Sequence, residues 1–72
     1  MRRGDLIECN SGHQGIVVGI EYMYPKNPEY SPPRNLQVLW SDSHPKYAFR
    51  IEASTSTISA FSVKRVISRA NR

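Results

Sequence analysis

Large apolar side chains recur at every second residue in several short stretches of this chain, the period of a strand with one face in a core. The clearest is Gly15-Ile16-Val17-Val18-Gly19-Ile20-Glu21-Tyr22, where Ile16, Val18, Ile20 and Tyr22 alternate with smaller or polar residues. Those four are expected to face inward and Val17 outward, and the β-branched content favours a strand over a helix. A second strand reads in Asn35-Leu36-Gln37-Val38-Leu39-Trp40, with Leu36, Val38 and Trp40 on the buried face. Leu39, beside Gln37 on the other face, marks that face as not fully wet.

Shorter strands are predicted over Asp5–Cys9, Tyr47–Ile51, Thr57–Phe61 and Val63–Ser68. In Tyr47-Ala48-Phe49-Arg50-Ile51 the odd positions are large and apolar, so Tyr47, Phe49 and Ile51 are expected to point inward together. Phe61 to Ile67 also fits one amphipathic turn of helix, and both readings stand at this level.

The breaks carry turn chemistry. Asn10 to Gly15 is a polar, glycine-bearing connection between antiparallel strands. Met23 to Arg34 holds four of the five prolines, which excludes regular sheet and predicts a long, stiff loop. Ser41-Asp42-Ser43-His44-Pro45 reads as a turn, and Ser54-Thr55-Ser56-Thr57 as an exposed polar bend. Five or six strands this short hide one shared apolar face only by closing on themselves or packing as two small sheets. An all-β, partly open antiparallel barrel, one domain spanning residues 1–72, is the expected fold.

Seventy-two residues support only a small core. The single Cys9 cannot form an internal disulfide, which points to a reducing compartment. No apolar run approaches the roughly 20 residues that span a bilayer, and no hydrophobic segment follows Met1-Arg2-Arg3-Gly4-Asp5 to serve as a signal peptide. The net charge of +4 lies at the ends. Arg2 and Arg3 open the chain and Lys64, Arg65, Arg69 and Arg72 close it, while the body between Gly4 and Val63 carries more acids than bases.

Arg3-Gly4-Asp5-Leu6-Ile7, Gly15-Ile16-Val17-Val18-Gly19-Ile20 and Leu36-Gln37-Val38-Leu39-Trp40-Ser41-Asp42 together resemble the small SH3-like proteins of tailed bacteriophages. In these, a Gly-Asp-apolar opening precedes a Gly-Ile-Val strand and a Val-x-Trp strand that ends in an acidic turn. The resemblance covers the first 42 residues. KOW-type modules of ribosomal and transcription proteins and the small stromal subunit IV of photosystem I are more distant likenesses. The resemblance implies a small SH3-like barrel and a non-enzymatic, phage-encoded binding module, a structural or accessory virion component docking on a larger protein assembly. Its alternatives are a KOW-like nucleic-acid-binding protein and a host-directed modulator. Virion or host cytoplasm is the implied location.

Candidate chemistry is sparse. One cysteine and two separated histidines, His13 and His44, do not make the paired ligands of a zinc site, so no metal and no cofactor is expected. Neighbours in one turn, Ser41-Asp42-Ser43-His44, cannot align nucleophile, base and orienting carboxylate. Cys9 is expected to be buried in the first strand rather than reactive. With no phosphate loop and no carboxylate pair at a diagnostic spacing, an enzyme is not expected.

Tyr22, Tyr24, Tyr30 and Trp40 can be read as a peptide groove, but Trp40 continues the face of Leu36 and Val38. Only Tyr24 and Tyr30 are then expected at the surface. SH3-like barrels commonly place their first and last strands side by side, which gathers Arg2, Arg3, Lys64, Arg65, Arg69 and Arg72 on one side. With Arg34 and the two tyrosines they form the expected partner-binding set, facing an acidic protein surface or phosphates. Two solvated basic tails are the alternative. Repulsion among these charges is relieved by an acidic partner, so residues 68–72 are expected to meet another chain.

Overall fold

A computed structural model describes residues 2–24, 26 and 31–70. It is all-β. Among the described residues six antiparallel strands run as β1 (Leu6–Cys9), β2 (Gln14–Tyr22), β3 (Pro33–Trp40), β4 (Phe49–Glu52), β5 (Thr55–Ser59) and β6 (Val63–Ser68). A single 3-10 turn at Ala60–Ser62 joins the last two. All six belong to one sheet in the order β4-β5-β3-β2-β1-β6, which stays open between its edge strands β4 and β6. The first and last strands pair, Leu6 with Ser68 and Cys9 with Val63, across two register irregularities. Among the described residues no helix is long and apolar enough to cross a membrane.

The core is Ile7, Cys9, Val17, Leu36, Val38, Trp40 and Ile58, with Ile20, Ala48, Ala60, Val63 and Val66 packed around it. Leu36, Val38 and Trp40 occupy the inner face of β3 as their spacing predicts. β2 does not follow its prediction. Val17 is 1% exposed, whereas Ile16 is 42% and Val18 41% exposed.

The reason lies in the pairing. Gly15 sits opposite Trp40 and Val17 opposite Val38, but Gly19 is the partner of Gln37 and Ile20 of Leu36, so Val18 is an extra residue, a β-bulge. Before the bulge the odd-numbered residues face the core, and from Ile20 onward the even-numbered ones do. Gly15 sets the first phase: a Cβ on it would come within 2.5 Å of Val38 Cγ1 and 3.1 Å of the Trp40 ring. The position opposite the largest core side chain must be the smallest.

Three further expectations change. Ser56 and Thr57, read as an exposed bend, are buried within β5. Tyr47, Phe49 and Ile51 do not point inward; all three are exposed. Tyr47 lies before β4, and the alternation within the strand breaks because Arg50 has a left-handed backbone (φ 53°) between the Phe49–Thr57 and Glu52–Thr55 pairs. The segment from 23 to 34 is not loop to its end, since β3 begins at Pro33, paired with Tyr22. Phe61 to Ile67 resolves as the end of the 3-10 turn followed by strand.

Trp40 is fixed by a polar chain. Its indole N–H donates to Ser56 Oγ (2.6 Å), Ser56 Oγ lies 2.8 Å from His44 Nδ1, and His44 Nε2 lies 2.8 Å from the Ala53 carbonyl. A carbonyl only accepts, so Nε2 carries the proton and Nδ1 accepts from the Ser56 hydroxyl. The His13 ring meets Trp40 edge-on at 6.2 Å.

The bulge yields a paired test. Val17→Ala should cost about 2 kcal/mol, the loss of buried methyl groups plus the cavity left behind. Ile16→Ser, on the outer face, should cost less than about 1 kcal/mol. Urea unfolding of both variants measures the difference, and equal costs would contradict this register.

Candidate interaction surface

The sheet's second face carries Leu6, Ile16, Leu39 and Thr55 in one row, each the register partner of the next across β1, β2, β3 and β5. Leu39 is 41% exposed, much like Ile16 and Val18. Gly19, Gln37, Thr57 and Phe49 form the neighbouring row. A Cβ on Gly19 would collide with the Gln37 side chain, so glycine there lets the amide lie flat against β2. Thr57 in that row is 2% exposed, so the open part of this face lies around Ile16, Val18 and Leu39.

Charged groups ring these rows. Glu21 and Asn35 are cross-strand partners, Asn35 Nδ2 donating to Glu21 Oε1 (2.9 Å), and Arg50 reaches Glu21 Oε2 from β4 (2.8 Å). The Asn35 amide first, then the Arg50 guanidinium, holds the Glu21 carboxyl below the usual carboxylate range. Arg50 also lies 5.4 Å above the Phe49 ring. Arg2 and Arg3 line an open depression with Val18, Gly19, Glu21 and Gln37, and Arg34 lines a second with Glu21, Asn35 and Arg50.

The predicted residues are thus distributed unevenly. Arg2, Arg3 and Arg34 converge around Glu21, joined by Arg50, which the sequence reading left out. Its only sequence signal was a cation beside Phe49, and its position depends on the left-handed bulge. Arg65 on β6 is spent within the chain, its Nε 2.6 Å from Glu8 Oε1, an ion pair that lowers the Glu8 pKa. Lys64 and Arg69 are exposed on and just beyond the β6 edge. Tyr24 is exposed as expected, its backbone N–H donating to Ser31 Oγ (2.7 Å). Tyr30 and Arg72 lie outside the described residues.

Asp5 organises the corner from which Arg2 and Arg3 emerge. The side chain is 2% exposed and accepts from the Ala70 backbone N–H (2.6 Å) and the Arg2 backbone N–H (3.0 Å). The bond from Ala70 is the main cause that holds its carboxyl below the ordinary value; burial opposes it, and the Arg2 N–H and the Arg69 charge assist. Gly4 N–H donates to the Val17 carbonyl and Val17 N–H to the Asp5 carbonyl, tying this corner to β2 beside the bulge.

The nucleophile-like groups are engaged elsewhere. Ser56 Oγ uses its lone pair on Trp40 and its proton on His44, inside the fold. Burial pushes the Cys9 thiol up, away from the reactive thiolate. Among the described residues no group of three or more His, Cys, Asp or Glu is placed to hold a metal. In comparisons with known proteins, no family model, no curated protein and no solved structure matches the chain.

Asp5 makes stability depend on acid. Because folding lowers its pKa, its contribution is complete above the unfolded value of about 3.9 and disappears as pH falls through the lower folded value. Asp5→Ala should cost about 1.5–3 kcal/mol near neutral pH, the range for hydrogen bonds to a charged group. Denaturant titrations from neutral pH down to acid should show the gap between parent and variant shrinking as Asp5 protonates. A gap that stays constant would mean the carboxylate is not the clamp.

Proposed function

We propose that this protein is a non-enzymatic binding module of bacteriophage origin, a structural or accessory component of the virion that docks on a larger protein assembly. The observation that carries the proposal is the exposed apolar patch on the outer face of the sheet, where Ile16, Val18 and Leu39 are each about 40% exposed with arginines at the rim. An apolar centre with a polar, arginine-bearing border is the composition of a protein interface. Nucleic-acid surfaces are instead dominated by cations placed along phosphates. The resemblance of the Gly4-Asp5-Leu6, Gly15-Ile16-Val17 and Val38-Leu39-Trp40 segments to phage SH3-like proteins supports the virion setting. Basic residues left over on β6 and just past it, Lys64 and Arg69, are available as secondary contacts in the same assembly.

Mass spectrometry of purified particles should find this chain at a fixed ratio to the other virion proteins. Its attachment should weaken only modestly as salt rises, because apolar burial is not screened. Absence from particles would move the reading to a host-directed modulator. A steep salt dependence, the signature of counterion release, would move it to nucleic acid.

A further inference from the structure

We infer that the outer face takes an acidic, aliphatic segment of the partner protein, with carboxylates seated on Arg2, Arg3 and Arg34 and an aliphatic side chain packed on Val18. The inference rests on the docking function proposed above and specifies the chemistry of what is docked. Charge complementarity selects this occupant. Among the described residues no carboxylate lies within ion-pair distance of Arg2, Arg3 or Arg34, while Glu21, the acid that lines both depressions with them, is already engaged by Asn35 and Arg50. These three guanidinium groups stand outside any ion pair among the described residues, and such groups bind carboxylates bidentately.

Val18 supplies the apolar contact. As the bulge residue it is turned out of the core between the two depressions it helps to line, one with Arg2 and Arg3, which would take the carboxylates, the other with Gln37, Arg50 and the acid Glu52. Bulges of this kind re-aim a side chain, and this one places a valine where a buried strand would have hidden it. Gln37, flattened over Gly19, puts an amide on the floor that both donates and accepts. Arg50 is held in a left-handed backbone (φ 53°), a strained conformation for a residue other than glycine. That position carries its guanidinium over the face to Glu21, so the acid beside Arg34 is already hydrogen-bonded by Arg50 and Asn35.

The test is an amide-resolved NMR titration of the full, isotope-labelled chain with a short peptide alternating Glu and Leu. A Gln–Leu peptide and a single-stranded oligodeoxynucleotide serve as comparison probes. Shifts concentrated at residues 16–21 and 36–39 with the Glu–Leu peptide, and not with the Gln–Leu peptide, are expected. Arg2→Gln with Arg3→Gln should weaken that binding about tenfold or more, and Val18→Ser should weaken it without lowering the melting temperature greatly. Lys46→Gln, exposed in the turn before β4 and outside both arginine-lined depressions, should leave it unchanged. Shifts confined to β6, equal binding of the Gln–Leu peptide, or binding of the oligonucleotide alone would each overturn the inference. Particle composition separates this from the docking function. Normal incorporation of the Arg2→Gln, Arg3→Gln variant would sink the surface assignment while docking stands, and a chain that binds the peptide but is absent from particles would do the reverse.

Discussion

One buried carboxylate holds the two ends of this chain together. Asp5 precedes β1 and accepts the backbone N–H of Ala70, two residues past β6, and the N–H of Arg2 before it. An ionised group taken out of water is tolerated only when its oxygens are filled by donors, and both oxygens are filled here. The consequence reaches beyond the corner itself. β6 pairs with β1 through two register irregularities, a weak ladder by itself. The Asp5–Ala70 bond pins the end of that ladder, adding to the half-buried Val63 and Val66 and the Arg65–Glu8 ion pair that hold the last strand in place.

The same corner sets up the outer face. The Asp5 carbonyl and the Gly4 N–H bond to Val17, so the opening segment is stitched to β2 one residue before the bulge. The bulge then does two things at once. It lets Gly15 and Val17 face Trp40 and Val38 while Ile20 still faces Leu36, which keeps the core filled on both sides of it. It also leaves Val18 and Ile16 outside, next to the two arginines that the Asp5 corner delivers. Core packing and surface chemistry are therefore coupled through one extra residue.

Polar side chains inside this fold serve as fixed connections. Ser56 joins Trp40 to His44, and His44 joins the chain at Ala53, so a tryptophan at the centre of a small core is held in a single orientation. Each donor in the series meets an acceptor, which is what makes a buried polar chain tolerable. The Glu21, Asn35 and Arg50 cluster does similar work at the surface. Its ion pair is exposed and adds little stability, so its main effect is to position Arg50.

Much was determined by the sequence alone: the all-β class, the strands at 15–22 and 35–40, the inward Leu36, Val38 and Trp40, the burial of Cys9, and the uneven placement of charge. These follow from local rules, two-residue alternation and turn chemistry, that need no knowledge of partners. Tertiary structure decided the rest. The phase of β2 depended on Gly15 meeting Trp40, a contact between strands, and a single-phase reading of Ile16, Val18 and Ile20 cannot anticipate a bulge placed by the neighbouring strand. Ser56 and Thr57 read as solvent-facing until Trp40 and His44 supplied the partners that allow burial. Phe49 read as core until an edge position and the left-handed Arg50 turned its strand. Arg2, Arg3 and Arg34 were legible as cations, but their grouping around Glu21, with Arg50 added, came only from strands far apart in sequence being laid side by side.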